Sequence, residues 1–321
     1  MKVIASAGRE DVAFVYIIQF SSGKKVECVE SVQPPIPRER KWVLLVSTMF
    51  GCPVGCMMCD AGGHYEGKLT AREVFKQIDF LISRRFPDGN VPSQQFKIQF
   101  ARMGEPALNH HLLKVLEEMP RRYNAPGLMP SISTVAPHSA TIFFRRLLNI
   151  KHERYTSGRF QLQFSLHTTD DKLRDKIIPV RKWSFGEMAE YGERFYSPGD
   201  RKITLNFALA QGMSVEPSIL LRYFSPDKFL IKITPLNPTH RARKNNMSSY
   251  IRPLRGQTDC NIATALRKAG YEVLVSIGEM EESYIGSNCG QYLLRHLAAY
   301  TLMSDAYTYD IQTHADGLSK Y

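Results

Sequence analysis

The chain has no run of about 18 apolar residues, so no segment reads as a membrane-spanning helix. Its first residues, MKVIASAGREDV, hold too short an apolar stretch before Arg9 to form a secretory signal. No internal repeat or low-complexity tract stands out. Cysteine is sparse, six in 321 residues with three on one short loop, which excludes a disulfide scaffold and suits a reducing, cytoplasmic setting. Acidic residues are also short: 31 Asp and Glu against 42 Lys and Arg leave a formal charge of +11, which favours a polyanionic partner such as RNA. What is present is ordinary. An apolar fraction of 43% argues against disorder, and the length allows one large α/β domain or two small ones.

The densest chemistry lies in VSTMFGCPVGCMMCDAGGHYEG, residues 46–67. Cys52, Cys56 and Cys59 are spaced C-x3-C-x2-C. Three thiolates on one short loop can hold three irons of a [4Fe-4S] cubane and leave the fourth open. An open iron can chelate the amino and carboxylate groups of S-adenosyl-L-methionine and cleave its sulfonium to a 5′-deoxyadenosyl radical. A structural zinc site is the alternative, but it wants a fourth Cys or His, and His64 does not stand at the usual spacing. The spacing is that of the radical S-adenosylmethionine superfamily.

Around this loop the chain alternates. Residues 12–20 and 25–32 flank a Ser-Ser-Gly-Lys turn and predict an antiparallel hairpin, followed by the extended linker QPPIPRER. Apolar strands are predicted at 41–48, 96–101, 131–135, 159–166, 202–210 and 228–236, with helices between them. Thr70 and Glu73 form a capping box before Val74, Ile78, Leu81 and Ile82, which share one helical face. Six strand–helix units predict an α/β fold, a partial, open (β/α)6 barrel whose chemistry gathers at the strands' C-terminal ends. The expected organisation is a hairpin and linker over 1–36, a barrel core over 37–300, and a C-terminal tail over 301–321, polar and loosely held from about 305.

Polar residues follow the predicted strands: Met103-Gly104-Glu105-Pro106 and Asn109, Ser133-Thr134, Ser165-Leu166-His167, and Asn237-Pro238. Glycine lets a backbone approach a ligand closely, and a carboxylate accepts from an ammonium group. Each alone is an unremarkable turn or strand end. Four in register with a cysteine loop point to a shared site.

These elements, with Arg174-Asp175-Lys176-Ile177-Ile178-Pro179 and Asn288-Cys289-Gly290-Gln291, occur in the order and approximate spacing of one family. From about Val26 to Gln291 the chain resembles the RlmN/Cfr family of radical S-adenosylmethionine RNA methyltransferases, which methylate adenine carbons. The resemblance implies a radical-SAM barrel and a [4Fe-4S] cluster on Cys52, Cys56 and Cys59. It implies S-adenosyl-L-methionine held by Gly104, Glu105, Ser133, Ser165, His167 and Asn237. Cys289 would carry the methyl group, and Glu27 matches a family acidic residue. RNA, ribosomal or transfer, is the implied substrate. A donor such as flavodoxin or ferredoxin would supply the electron, and a monomer is expected.

Two features depart from the family. Its second, resolving cysteine stands seven residues before the first cluster cysteine, where this chain has Leu45. Cys28 and Cys260 are the remaining thiols, and Cys28 could substitute only if the hairpin brings it over the cluster. The family's larger N-terminal accessory domain is reduced to the hairpin. Both departures keep open an alternative, a divergent radical enzyme acting on a small metabolite or peptide. A third reading is an RNA-binding protein without catalysis.

Overall fold

The computed structural model describes residues 1–32, 34–251, 260–278, 280–288, 291–293 and 303–314. Three antiparallel strands open the chain: β1 (Lys2–Arg9), β2 (Ala13–Gln19) and β3 (Lys25–Ser31). Next come β4 (Lys41–Val46), the short strands β5 (Met49–Phe50) and β6 (Gly67–Lys68), and helix α1 (Ala71–Arg85). Strand and helix then alternate through β7 (Gln95–Phe100), α2 (His111–Arg122), β8 (Leu128–Thr134), α3 (Thr141–Arg154) and β9 (Gln161–Ser165). Helices α4 (Asp171–Ile177) and α5 (Phe185–Phe195) lead to β10 (Ile203–Leu209), α6 (Pro217–Tyr223) and β11 (Phe229–Pro235). The described chain closes with α7 (His240–Lys244), α8 (Asn261–Lys268), β12 (Val273–Val275), α9 (Met280–Ile285) and β13 (Gln312–Thr313).

All six expected barrel strands form. They run parallel in the order β11-β10-β9-β8-β7-β4, and β12 extends the parallel edge. The Thr70–Glu73 capping box starts α1 as expected, and a second box, Ser184–Glu187, starts α5.

The strands alternate in a way unusual for a parallel sheet, whose strands are commonly apolar on both faces. Trp42, Phe96, Ile98, Phe164, Phe207 and Ile231 are fully buried on one face. Trp42 stacks on Phe96 and meets Phe86 at the end of α1, which identifies this as the helix-covered face. The other face carries Lys41, Gln95, Lys97, Gln99, Ser131, Gln163, Asn206 and Lys232, matched across strands by the register. The concave side is therefore polar, and it is built to receive something.

Strand β3 pairs antiparallel with β4, placing Val29 opposite Leu45 and Ser31 opposite Val43, so the hairpin continues the barrel sheet. Strand β1 was not expected. The polar tail is also not loose over its described part. Ala306 and Tyr307 are buried, β13 pairs with β1, and the His314 amide donates to the Ile4 carbonyl. Its polar sequence hides this because two-residue pairing and a few buried side chains leave no periodicity to read.

Candidate active site

At the C-terminal end of β4 the chain passes through Ser47 and Thr48 into β5, which pairs with β6 and closes residues 51–66 into a loop. Gly51 makes the crossing possible. Its φ is +75°, and a Cβ there would lie 1.4 Å from the His64 carbonyl oxygen. Cys52, Cys56 and Cys59 all lie on this loop, half-buried. Val54, Met58, Val135, Ile178, Met213 and Leu236 form an apolar bed beneath it, with Cys52 and Cys56 packed against them.

Burial raises the Cys52 thiol to about 11, against which the amides of Val54, Gly55 and Glu105 hydrogen bond to its sulfur. Cys56 is pushed well up by burial, then by the neighbouring charges of Cys59 and Cys52. Mutually repelling thiols in an apolar bed remain protonated until a cation takes their protons' place. Among the described residues no three His, Cys, Asp or Glu side chains converge on a single ion. A cubane needs each thiolate on a different iron and is tuned by N–H donors to its sulfurs. The donor set fits the cluster.

The loop is held from the opposite side by residues that sequence reasoning missed. Thr239 Oγ1 donates to the Met58 carbonyl at 2.7 Å, and Asn245 Nδ2 donates to that of Met57 at 2.8 Å. Arg241 donates to the carbonyls of Cys56 (3.1 Å) and Gly55 (2.9 Å). Asp60 reciprocates, accepting the amides of His240 and Arg241 at the start of α7. The only local signal was Thr239 as an N-cap two residues beyond Asn237.

The other expected residues stand at neighbouring strand ends. Gly104 has φ +100°, and a Cβ there would meet Met49 and Thr48 at 2.6–2.7 Å. Its turn is stitched to the cysteine strand by the Thr48 amide on the Met103 carbonyl. Glu105 is buried, and its carboxylate accepts from Thr134 Oγ1, the Val135 amide and the Ala107 amide. Burial raises its pKa to about 7 in spite of those three donors. Ser133, next to Thr134, has a buried hydroxyl with no partner among the described residues. Such an orphan is what a ligand would satisfy.

Ser165 ends β9 in register with Asn206. His167 follows at φ +67°, an uncommon conformation for a residue with a side chain. Its Nδ1 takes the Ala208 amide at 3.1 Å, so the neutral ring carries its proton on Nε2 as a donor. Burial, then the charge of Arg174, lowers its pKa to about 4. Asn237 is half-buried just past β11.

Glu27 and Arg102 form a buried ion pair on the concave face. Arg102 donates to the carbonyls of Gly286 (3.0 Å), Ser287 (3.1 Å) and Asn288 (3.2 Å). Glu27 accepts the Leu293 amide. The pair thus grips both flanks of position 289, while Cys289 itself lies outside the described residues. Leu45 shares the face of Glu27, half-buried between Val29 and Gln99. Cys28 points the other way. It is fully buried opposite Tyr16, whose ring meets Phe80 of α1, and burial raises its thiol well above the usual value. The hairpin therefore does not carry Cys28 over the cysteine loop. Cys260 sits at the start of α8, half-buried.

No model of a known protein family matches the chain. A probable dual-specificity RNA methyltransferase RlmN from Thermus thermophilus is 27% identical over 299 residues, covering 89% of this chain and 76% of that protein. The ribosomal RNA large subunit methyltransferase N of Nitrosopumilus maritimus is 25% identical over 285 residues, covering 84% and 77%. Among solved structures, a radical SAM methyltransferase from Sphaerobacter thermophilus superposes with a TM-score of 0.69 at 22% identity, covering 90% of this chain and 81% of that one. The chain is thus a homologue of proteins named RlmN, and it has the fold of a radical SAM methyltransferase.

Proposed function

We propose that this protein is a radical S-adenosyl-L-methionine RNA methyltransferase that delivers a methyl group to an adenine carbon through Cys289. The observation that carries this reading is the Glu27–Arg102 pair. It holds the backbone at 286–288 and at Leu293, on both sides of position 289, and the residue after Arg102, Met103, accepts the Thr48 amide from the segment that enters the cysteine loop. Anchored backbone on either side of a cysteine is what transfer through that cysteine demands.

Cys52, Cys56 and Cys59 hold the [4Fe-4S] cluster, which when bound supplies the electron that cleaves S-adenosyl-L-methionine to a radical. The chain's own residues bind and orient. Gly104 lets the strand-end backbone approach the ligand, Glu105 is the acceptor for its ammonium, and the orphan Ser133 hydroxyl gains a partner on binding. Ser165, Asn237 and the Nε2–H of His167 line the same strand ends and complete the set. The apolar bed of Val54, Met58 and Leu236 limits water at the sulfurs. Glu27 is the acid that orients the flanks of Cys289, since its carboxylate binds Arg102 on one side and the Leu293 amide on the other. Basic charge and the RlmN-named homologues support RNA as the substrate. A flavodoxin- or ferredoxin-type donor and a cytoplasmic setting follow from the chemistry. No helix among the described residues is long and apolar enough to cross a membrane.

The test is incubation of reduced, anaerobically prepared protein with S-adenosyl-L-methionine and total RNA, followed by mass spectrometry of the nucleosides. Carbon-methylated adenosine that requires Cys289 is expected. RNA left unmodified while a small-molecule pool gains methyl groups would overturn the reading.

A further inference from the structure

The opposite end of the barrel, at the N-terminal ends of the strands, holds a cavity of about 620 Å³. Arg40, Lys41, Arg159 and Arg201 line it together with Gln95 and Ser157, and no lining residue is acidic. The size falls in the range of small-molecule sites. Three guanidinium groups stand at an open rim, where Arg40, Arg159 and Arg201 are exposed.

The charge continues inward. Lys97 follows Gln95 by two residues on β7, so it shares the concave face roughly 7 Å deeper. Burial, then the charges of Lys232, Lys41 and Arg201, lower its pKa to about 7. The neighbouring positions on this face are Met129 and Ser131 on β8 and Gln161 on β9, none of them acidic. Asp200, whose Oδ1 takes the Gly158 amide at the rim, is committed to buried Lys151. Glu272 pairs with Lys202 at 3.7 Å. Three exposed guanidinium groups and the Lys41 ammonium around one concavity, with no carboxylate among its described lining residues, set up a positive potential that draws in an anion. Planar guanidinium forks match the oxygens of a phosphoryl group.

We propose that this cavity binds a small phosphorylated anion, its phosphoryl group among Arg40, Lys41, Arg159 and Arg201 with Lys97 behind it. The source is a small molecule and not an RNA strand. A target base at the cysteine loop lies about 20 Å away along the seven-residue strands, and the cavity is concave where a nucleic-acid track would be an open groove.

The experiment is calorimetric titration of the full-length protein with inorganic pyrophosphate at pH 7, in two buffers of different ionisation enthalpy. One site is expected. Its apparent enthalpy should depend on the buffer, because the anion draws a proton onto Lys97. The double variant Arg40→Gln/Arg159→Gln, altered only at exposed positions, should bind at least ten-fold more weakly. Lys97→Met should bind without proton uptake. The proposal is overturned by absence of pyrophosphate binding, by binding unchanged in the double variant, or by full competition from a short RNA lacking terminal phosphates.

Discussion

Arg102 Nε lies 2.9 Å from Glu27 Oε2, with both side chains cut off from water. The two residues are 75 positions apart in the chain, yet together they tie β3, the end of β7, residues 286–288 and Leu293 into one unit. Burial raises the pKa of Glu27, and the Arg102 charge and the Leu293 amide oppose that shift. Taking both charges out of water is expensive, but removing one alone is worse, because the survivor stays buried without its counterpart. Arg102→Leu should therefore destabilise the protein by about 3–5 kcal/mol. Adding Glu27→Leu should recover much of that loss. Urea denaturation of the two variants reads both numbers, and a single-variant loss under about 1 kcal/mol would count against the pair as an anchor.

Arg241 donates to three carbonyls of the cysteine loop, those of Cys56, Gly55 and Gly62, and hydrogen bonds from a charged group contribute roughly 1.5–3 kcal/mol each. Arg241→Ala should leave the fold intact and loosen the loop. Iron and sulfide retained after anaerobic reconstitution should fall below half of the wild-type content. Unchanged metal content would mean that Thr239 and Asn245 suffice.

Much of this site was legible in the sequence because its signals are local. The C-x3-C-x2-C spacing, the glycine turn at Gly104 and the Thr70–Glu73 box each declare themselves within a few residues. Arg102 was not legible, since nothing beside it announces a partner on β3. The same holds for Arg241, some 180 residues beyond the carbonyls it grips. Strand β1 escaped notice because VIASAG mixes small residues with apolar ones, and its pairing depends on β2 and β13. The alternation in FKIQF and QLQFS was visible. Its meaning, a polar concave face, became clear only when the register aligned Lys97 with Met129 and Ser131 with Gln161.

His167 sets a pH dependence whose sign follows from its burial. Its folded pKa, about 4, lies below the ordinary value of 6.5. Between those values the unfolded chain binds the extra proton, so stability is full above about 6.5 and is lost as pH falls toward 4. The loss attributable to this one group is at most about 3 kcal/mol. Denaturation at pH 7 and pH 5 should show a drop that shrinks in His167→Gln. An equal drop in both proteins would assign the effect to other groups.

Ser133 offers a cleaner separation of binding from folding. Its buried hydroxyl has no partner among the described residues, so Ser133→Ala should leave stability unchanged or raise it by about 1 kcal/mol. Affinity for S-adenosyl-L-methionine should drop roughly five- to ten-fold, the worth of one hydrogen bond. Equilibrium binding and denaturation on the same preparation check the two halves. A large stability loss with unchanged affinity would place that hydroxyl in the fold and not in the site.

The account depends most on the three cysteines of the 51–66 loop. The direct measurement is 5′-deoxyadenosine formed from S-adenosyl-L-methionine by reconstituted, reduced protein under anaerobic conditions. The wild type should produce it, and Cys52→Ala, Cys56→Ala and Cys59→Ala should each abolish production together with the iron–sulfide absorbance. Undiminished 5′-deoxyadenosine from any one of these variants would contradict the assignment of radical chemistry to this loop.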